Sequence, residues 1–243
     1  MNITAIDADS LLFRCCYGDN ITESKMKTRW DTKVELIKNM TWADEVKIAL
    51  KGTGNFREQL DSEYKAQRPD IDPEFKKRLY FLHNYGLSKG AVRCDGWEAD
   101  DQVVAWAYEA KQNGDEAVIA GIDKDLLQVV GAHYNYGGTS TKPLKEDERW
   151  HHTSVEEGWY RFCKQLLTGD TIDNIKGITQ VGEKRAEAAL TGLNKKEQME
   201  KVVELYKKEF GEDWERKLHV NCNLIYMRRW PDDEFIWQER MNE

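Results

Sequence analysis

The chain has 243 residues, a formal net charge of −8 and a mean hydropathy of −0.77, with 40% hydrophobic and 11% aromatic residues. That apolar content suffices for a packed core, while the low hydropathy and the lack of a long apolar run exclude a membrane-spanning segment. Five cysteines without Cys-x-x-Cys spacing point to reduced thiols in a cytoplasmic protein rather than to disulfides or zinc.

In chain order, Ile3 to Ile6 is predicted as a buried strand ending at Asp7. No basic-then-apolar leader precedes it, so a signal peptide is not expected. Ser10 to Cys16 reads as a short helix, and Asp31 to Trp42 as a longer one with Asp31-Thr32 as its start signal. Val46 to Leu50 is a second strand. The polar, basic stretch from Lys51 to Pro73 holds two of the four prolines and reads as a loop or lid. Glu74 to Tyr85 is helical, and Gly86 and Gly90 bracket a return to a short strand, Ala91-Val92-Arg93. Asp100 to Gln112 has an apolar inner face, Ala117 to Ala120 is a core strand, and Asp125 to Val130 a further helix. This alternation predicts an α/β fold with a mostly parallel sheet flanked by helices. Near Trp150 the pattern changes. Ser154-Val155-Glu156-Glu157 is a capping box opening a helix to Leu167, and the chain is predicted helical to about Arg229, with a glycine-bounded loop from Gly177 to Gly182. The expected organisation is a core over 1–150, with a short arch or lid at about 51–85, and a helical region over 151–243. The nine tryptophans read mainly as core packing.

Acidic residues recur at the predicted strand ends and helix starts: Asp7, then Glu98-Ala99-Asp100-Asp101, then Asp123-Lys124-Asp125, then Asp170 and Asp173. Acidic residues in a first helical turn oppose the macrodipole and can be purely structural. The repetition after successive strands favours a shared site, where carboxylates would repel one another unless divalent cations neutralised them. Oxygen donors without His or Cys suit Mg²⁺ or Mn²⁺ better than zinc, and a two-metal phosphodiesterase site is the simplest use of such a set. Basic residues cluster locally despite the acidic total: Lys51, Arg57, Lys65 and Arg68, then Lys76-Lys77-Arg78, then Lys184-Arg185. A nucleic-acid partner is therefore compatible with the net charge.

The run from Leu167 to Ala186 sets a glycine-flanked turn, Gly177 to Gly182, before a helix that begins near Lys184 and Arg185. Such a turn can present backbone N–H groups and positive charge to a phosphate. Together with Gly96-Trp97-Glu98-Ala99-Asp100-Asp101, Asp123-Lys124-Asp125-Leu126-Leu127-Gln128, Ile6-Asp7-Ala8-Asp9, and Asn55-Phe56-Arg57 followed by Tyr64-Lys65-Ala66-Gln67-Arg68, the block resembles the 5′-nuclease (flap endonuclease) superfamily, most closely the stand-alone bacteriophage 5′→3′ exonucleases. The resemblance runs from Ile3 to about Arg229.

It implies a PIN-like core with a helix–three-turn–helix motif at about 166–190 that grips duplex DNA, with a K⁺ ion held by the loop. Gly177, Val181, Gly182, Lys184 and Arg185 would form that grip, with Arg57 as a further DNA contact. By the same resemblance Asp7, Glu98 and Asp100 would serve a first metal ion, with Asp101 close by. Asp123, Asp125 and Asp170 would serve a second, with Asp173 near. Tyr64 would stack on the nucleotide entering the site, and Lys65 and Arg68 would contact the scissile phosphate. The implied activity is Mg²⁺- or Mn²⁺-dependent 5′→3′ exonuclease action on duplex DNA or RNA:DNA hybrid, by a monomer that leaves 5′-phosphate products. Flap endonuclease action is the alternative; a PIN-type endoribonuclease or a non-catalytic structure-specific DNA-binding protein are others. In two places the chain departs from the family pattern. Lys51 stands where the family ends its second strand with an aspartate, and Lys65 to Tyr85 is short for a full helical arch, favouring an open-sided clamp. His151-His152 reads as a pair in a polar loop rather than as metal ligands.

Overall fold

The computed structural model describes residues 1–138 and 142–240. They divide into two units: residues 1–55, 70–153 and 228–231 in the first, and 56–69, 154–227 and those from 232 on in the second.

The elements in chain order are β1 (Asn2–Asp7), α1 (Asp9–Cys16), α2 (Glu23–Met40), β2 (Glu45–Lys51), α3 (Phe56–Leu60), α4 (Pro73–Ser88), β3 (Val92–Cys94), α5 (Ala99–Gln112), β4 (Glu116–Ala120), β5 (Gly131–Tyr134) and β6 (Trp150–Thr153). There follow α6 (Val155–Thr168), β7 (Gly169–Asp170), β8 (Ile175–Lys176), α7 (Glu183–Leu190), α8 (Lys195–Phe210), α9 (Trp214–Ile225) and α10 (Trp237–Arg240).

The first unit is built on a six-stranded sheet of order β3-β2-β1-β4-β5-β6. All its pairings are parallel except β5 with β6. β1 is buried along nearly its whole length, as expected of an interior parallel strand covered on both faces. Helix α5 packs on β1, β2 and β4, while α1, α2 and α4 pack on one another. Their shared core includes Ile6, Leu11, Met26, Trp30, Leu50 and Leu82. From β1 the chain leaves toward β2, whereas from β4 it leaves toward β5, on the other side. The C-terminal ends of β1 and β4 therefore flank the switch in direction where open α/β sheets form their crevice.

In the second unit α6, α8 and α9 pack together and α7 rests on α6. Phe162, Leu166, Met199, Val202, Tyr206 and Leu218 are among the residues of its core. Tyr206 donates its hydroxyl to the Leu166 carbonyl at 2.8 Å, and Asn221 donates to the Tyr206 oxygen at 2.8 Å. This pairing satisfies polar groups that would otherwise be costly to bury.

The sequence expectations differ from the fold at several points. Helix α2 begins eight residues before Asp31, because Thr22 caps it by accepting from Lys25 N at 3.3 Å; this hydroxyl outcompetes the Asp31-Thr32 signal. β5 and β6 are strands that no alternation announced, and His151 and His152 lie on β6 rather than in a loop. Residues 124–128 form a short 3₁₀ helix instead of an α-helix. Between α6 and α7 the β7–β8 hairpin interrupts the helical region. Residues 56–69 group with the helical unit rather than with the N-terminal core, whereas the helix predicted over 74–85 is found as α4. As expected, the majority of the nine tryptophans serve the cores, Trp30 buried and Trp150, Trp159, Trp214 and Trp237 packed against them, while Trp42 and Trp230 are exposed.

Candidate active site

Asp7 closes β1 with its side chain only 4% exposed. Its carbonyl accepts the Tyr136 hydroxyl at 2.6 Å and its Oδ1 accepts Asp9 N at 3.2 Å. Burial pushes the Asp7 carboxyl up to about 7, and the neighbouring Asp9 and Asp123 charges push it the same way. Hydrogen bonds from Asp9 N and with the Asp100 carboxyl oppose that rise. Asp9 is also raised, again chiefly by burial, with Glu98 adding to it and Lys51 and His83 opposing. The acids from the ends of β1 and β4 and the start of α5 thus feel one another electrostatically. Crowded carboxylates of this kind hold protons until a cation replaces them.

Local geometry explains how each acid arrives there. Asp9 Oδ1 accepts Lys51 N at 2.8 Å, tying the start of α1 to the end of β2. Immediately beyond, Gly52 lets the backbones of β2 and β3 approach, since a Cβ there would sit 2.3 Å from the Cys94 carbonyl oxygen. Gly121, just past β4, accommodates Leu126, whose Cδ1 would lie 2.4 Å from an added Cβ. The chain can then turn into the segment where Asp123 Oδ1 accepts Asp125 N at 2.9 Å. Asp123 is exposed and Asp125 half-buried.

Asp101 adjoins Glu98 and Asp100 in the first turn of α5. It is fully buried, with Oδ2 accepting Glu98 N at 3.2 Å and Oδ1 accepting Arg228 N at 2.9 Å. Its carboxylate is occupied as the N3 member of a capping box, the local signal that could have separated it from Asp100. Conversely, Asp9, Lys51, His83 and Tyr136 surround the cluster without having been singled out as site residues. His83 Nε2 lies 2.9 Å from the Lys51 carbonyl oxygen. The sequence hinted at two of them, Asp9 through the Asp7-x-Asp9 spacing and Lys51 through its place at the end of the second strand.

As the side chains stand, no three acidic, histidine or cysteine residues among the described ones are drawn together closely enough to enclose one ion. The donor set nevertheless suits a hard divalent cation. Asp7, Asp9, Glu98, Asp100, Asp123 and Asp125 offer oxygen alone, and mutual repulsion keeps such carboxylates apart until a cation offsets it.

In the second unit the residues expected at the phosphate are linked among themselves. Arg68 Nη2 donates to Asp173 Oδ1 at 2.6 Å, Lys65 Nζ lies 3.5 Å from Asp173 Oδ2, and the Tyr64 hydroxyl donates to the same oxygen at 3.1 Å. Lys65 has a positive φ of 58°, and its N–H donates to the Asp173 carbonyl at 2.9 Å. Asn174 and Gln67 complete the connection between the two segments at 2.8 Å. Asp173 is therefore the anchor of this segment, its carboxylate engaged by three side chains. Tyr64 is 5% exposed within the helical core, so its ring is not presented for stacking on a nucleotide. Asp170 Oδ1 accepts Ile172 N at 2.8 Å and Asp173 N at 3.2 Å, fixing the turn of the β7–β8 hairpin.

Arg57 also departs from expectation. It is 2% exposed, and its guanidinium donates to the carbonyls of Leu224 at 2.9 Å and Tyr226 at 2.8 Å. These are C-terminal carbonyls of α9 and the residue after it, which lack helical partners. The side chain holds α3 against α9 and is not a DNA contact. In the glycine-bounded turn, Gly177 is sterically required: a Cβ would meet Gly169 N and Leu167 O at 2.4 Å. Val181 packs against the helical core. Gly182, Lys184 and Arg185 are exposed, with Arg185 Nη1 donating to Gln180 O at 2.8 Å. Lys184 and Arg185 thus present charge at the start of α7.

Comparison with known proteins agrees with this architecture. The family described as 5'-3' exonuclease, N-terminal resolvase-like domain, matches residues 2–159. The 5'-3' exonuclease of Mycoplasmopsis pulmonis is 30% identical over 204 residues, 80% of this chain and 67% of that protein. DNA polymerase I of Chloroflexus aurantiacus is 31% identical over 157 residues, 60% of this chain but 17% of the polymerase. The chain therefore spans about a sixth of that larger relative. Among solved structures, the T5 D15 protein co-crystallised with metal ions aligns with a TM-score of 0.74 at 14% identity, covering 100% of this chain and 96% of that one. The T5 5'-exonuclease with bound zinc gives a TM-score of 0.70 at 15% identity, with the same 100% and 96% coverage. The fold is shared with these proteins.

Proposed function

Since the chain belongs to the 5'-3' exonuclease family, we propose that it hydrolyses phosphodiester bonds of duplex DNA or of an RNA:DNA hybrid, working inward from a 5′ end. The observation that carries this reading is the buried Asp7 carboxylate at the crevice between β1 and β4, with Asp9, Asp100 and Asp123 close enough to shift its protonation. Asp7, Asp9, Glu98 and Asp100 would hold one divalent cation, and Asp123 with Asp125 a second, with Mg²⁺ or Mn²⁺ the preferred metal. When bound, such ions supply Lewis-acid polarisation of the scissile phosphate and a lowered pKa for the attacking water. For Asp170 the assignment to the second ion rests on its sequence motif.

The protein's own part is positioning. Tyr136 holds the Asp7 backbone at its carbonyl, and the Asp9 N–H holds Oδ1 of the Asp7 carboxylate before substrate arrives. Asp9 in turn is fixed by Lys51 N. Lys65 and Arg68 are held by Asp173 and would exchange that carboxylate for a substrate phosphate, whose oxygens accept from the same donors. Lys184 and Arg185, with the Gly177–Gly182 turn, would hold the backbone of duplex DNA, and a K⁺ ion would be carried there by loop carbonyls. No side chain need act as nucleophile, and the products would carry 5′-phosphate and 3′-hydroxyl ends. All five cysteines are free and buried, and free thiols suit action in the reducing cytoplasm.

A 5′-labelled nicked duplex, offered as DNA:DNA and as RNA:DNA with Mg²⁺ or Ca²⁺, tests this reading. Release of short 5′-labelled products with Mg²⁺ is expected. An intact but mobility-shifted substrate under both ions would instead make the chain a binding protein.

A further inference from the structure

On the first unit, away from any residue assigned above, α1, α2 and α4 border a cavity of about 650 Å³. That volume lies within the range of sites for small organic ligands. Its apolar wall includes Phe13 and Phe75, whose rings are 5.6 Å apart, and Tyr17 stands at the rim with 76% of its surface exposed. The charged part is entirely cationic. Arg14, Lys25, Arg29 and Lys33 line the cavity and no carboxylate does.

Two of these cations are fixed in place by the backbone. Arg14 Nη1 donates to the Gly138 carbonyl at 2.7 Å, and Arg29 Nη1 to those of Tyr17 at 2.6 Å and Cys15 at 3.4 Å. Among the described residues none of the four cations forms an ion pair with a carboxylate. The buried Cys15 thiol registers their field: burial pushes it up to about 12, while Lys33, Arg29 and Arg14 oppose the rise.

The spacing of the charges narrows the ligand. Lys25, Arg29 and Lys33 fall at i, i+4 and i+8 on α2, one face of the helix, with Thr28 and Thr32 between them. Successive cations are therefore about 6 Å apart along the axis, and the row extends about 12 Å. A single phosphate would satisfy one step of this row; a polymer with regularly repeated phosphates satisfies all of it. The aromatic wall calls for flat apolar groups on the same molecule. In a duplex those faces are stacked away, whereas a single strand offers them.

We infer that this cavity binds single-stranded nucleic acid, with phosphates along Lys25, Arg29 and Lys33 and a base against Tyr17 and Phe13. The inference takes the polymer class from the nuclease reading but uses none of the acidic residues, and its test reads binding rather than cleavage.

The experiment is fluorescence anisotropy of a labelled oligothymidylate of about 10 nucleotides with the full chain in EDTA, across a salt series, beside a blunt duplex of equal length. K25A/K33A is expected to weaken the single strand about tenfold and to reduce its salt slope by about 1.4, two contacts at 0.7 each. Y17A should weaken it about tenfold with the salt slope unchanged, because stacking rather than charge is lost. Blunt-duplex affinity should hold in both variants. All three side chains sit at the surface or its edge, and circular dichroism melts verify that the variants fold. An unchanged salt slope in K25A/K33A, or an equal loss for duplex and single strand, would overturn the inference. Loss of Mg²⁺-dependent cleavage with these binding results intact would instead remove the nuclease reading alone.

Discussion

Arg68 and Asp173 meet at 2.6 Å across 105 residues of sequence, and Lys65 and Tyr64 reach the same carboxylate. This makes Asp173 the organising acid of the segment that carries the phosphate-directed cations. Asp173→Ala should lower the melting temperature of the metal-free protein, because it leaves Lys65 and Tyr64, both half-buried or buried, without their shared acceptor. The upward shift produced by Mg²⁺ should persist in the variant. Thermal melts with and without Mg²⁺ decide the matter: a lost Mg²⁺ shift would make Asp173 a metal ligand after all.

Replacing Asp7 or Asp123 by alanine should reduce turnover by roughly 10³-fold or more, the scale expected when charge stabilisation at the reacting phosphate is lost. Duplex affinity in EDTA should change little. Single-turnover cleavage beside a gel-shift titration separates the two quantities, and near-normal cleavage by Asp7→Ala would end the assignment of the acidic cluster.

Stability should depend on pH in a defined direction. In the metal-free fold the Asp7 carboxyl is raised from its ordinary 3.8 to about 7, and Asp9 is raised as well. Between those values the folded chain keeps a proton that the unfolded chain releases, so this contribution to stability declines as pH rises from about 4 to about 7. Above that window it stays low. Urea melts in EDTA should therefore show Asp7→Asn gaining on the parent protein as pH increases. Added Mg²⁺ should raise the parent's stability most at pH 8, by mass action on the ionised form. A parent and variant that differ equally at pH 4 and pH 8 would contradict the burial-driven shift.

Arg57→Ala should destabilise the fold by about 2–4 kcal/mol, since one buried and one half-buried carbonyl lose a donor. Arg57→Lys should not restore it, because an ammonium cannot reproduce the guanidinium fork. The salt dependence of duplex binding should be the same as in the parent. Chemical denaturation and the salt series together distinguish an internal tie from a DNA contact.

Lys184→Ala should do the reverse, leaving the melt unchanged while reducing the duplex salt slope by about 0.9, the loss of one phosphate contact. An unaltered slope would remove Lys184 from the interface.

Much of the fold was legible in the chain. Parallel strands buried on both faces leave near-continuous apolar runs, so β1, β2 and β4 were read within a residue or two. Ser154 announced α6 through its capping box, and the acids at strand ends were visible as a recurring spacing. β5 and β6 were not, because His133, His151 and His152 break the apolar run. The start of α2 was missed because its first two turns hold only two apolar residues, Met26 and Trp30, among polar ones.

What the sequence settled by itself was local: which segments are strands or helices, where acids follow them, and which motifs mark the family. Those properties depend on neighbours within a few residues, through periodicity, caps and turn chemistry. The tertiary structure alone decided the fate of individual side chains. Arg57 is buried against carbonyls 167 and 169 residues away, Asp101 against a backbone N–H 127 residues away, and Asp173 is paired with an arginine 105 residues away. A charge reads identically in sequence whether it faces water or an orphaned carbonyl, since its partner is chosen by packing between segments that no local pattern connects.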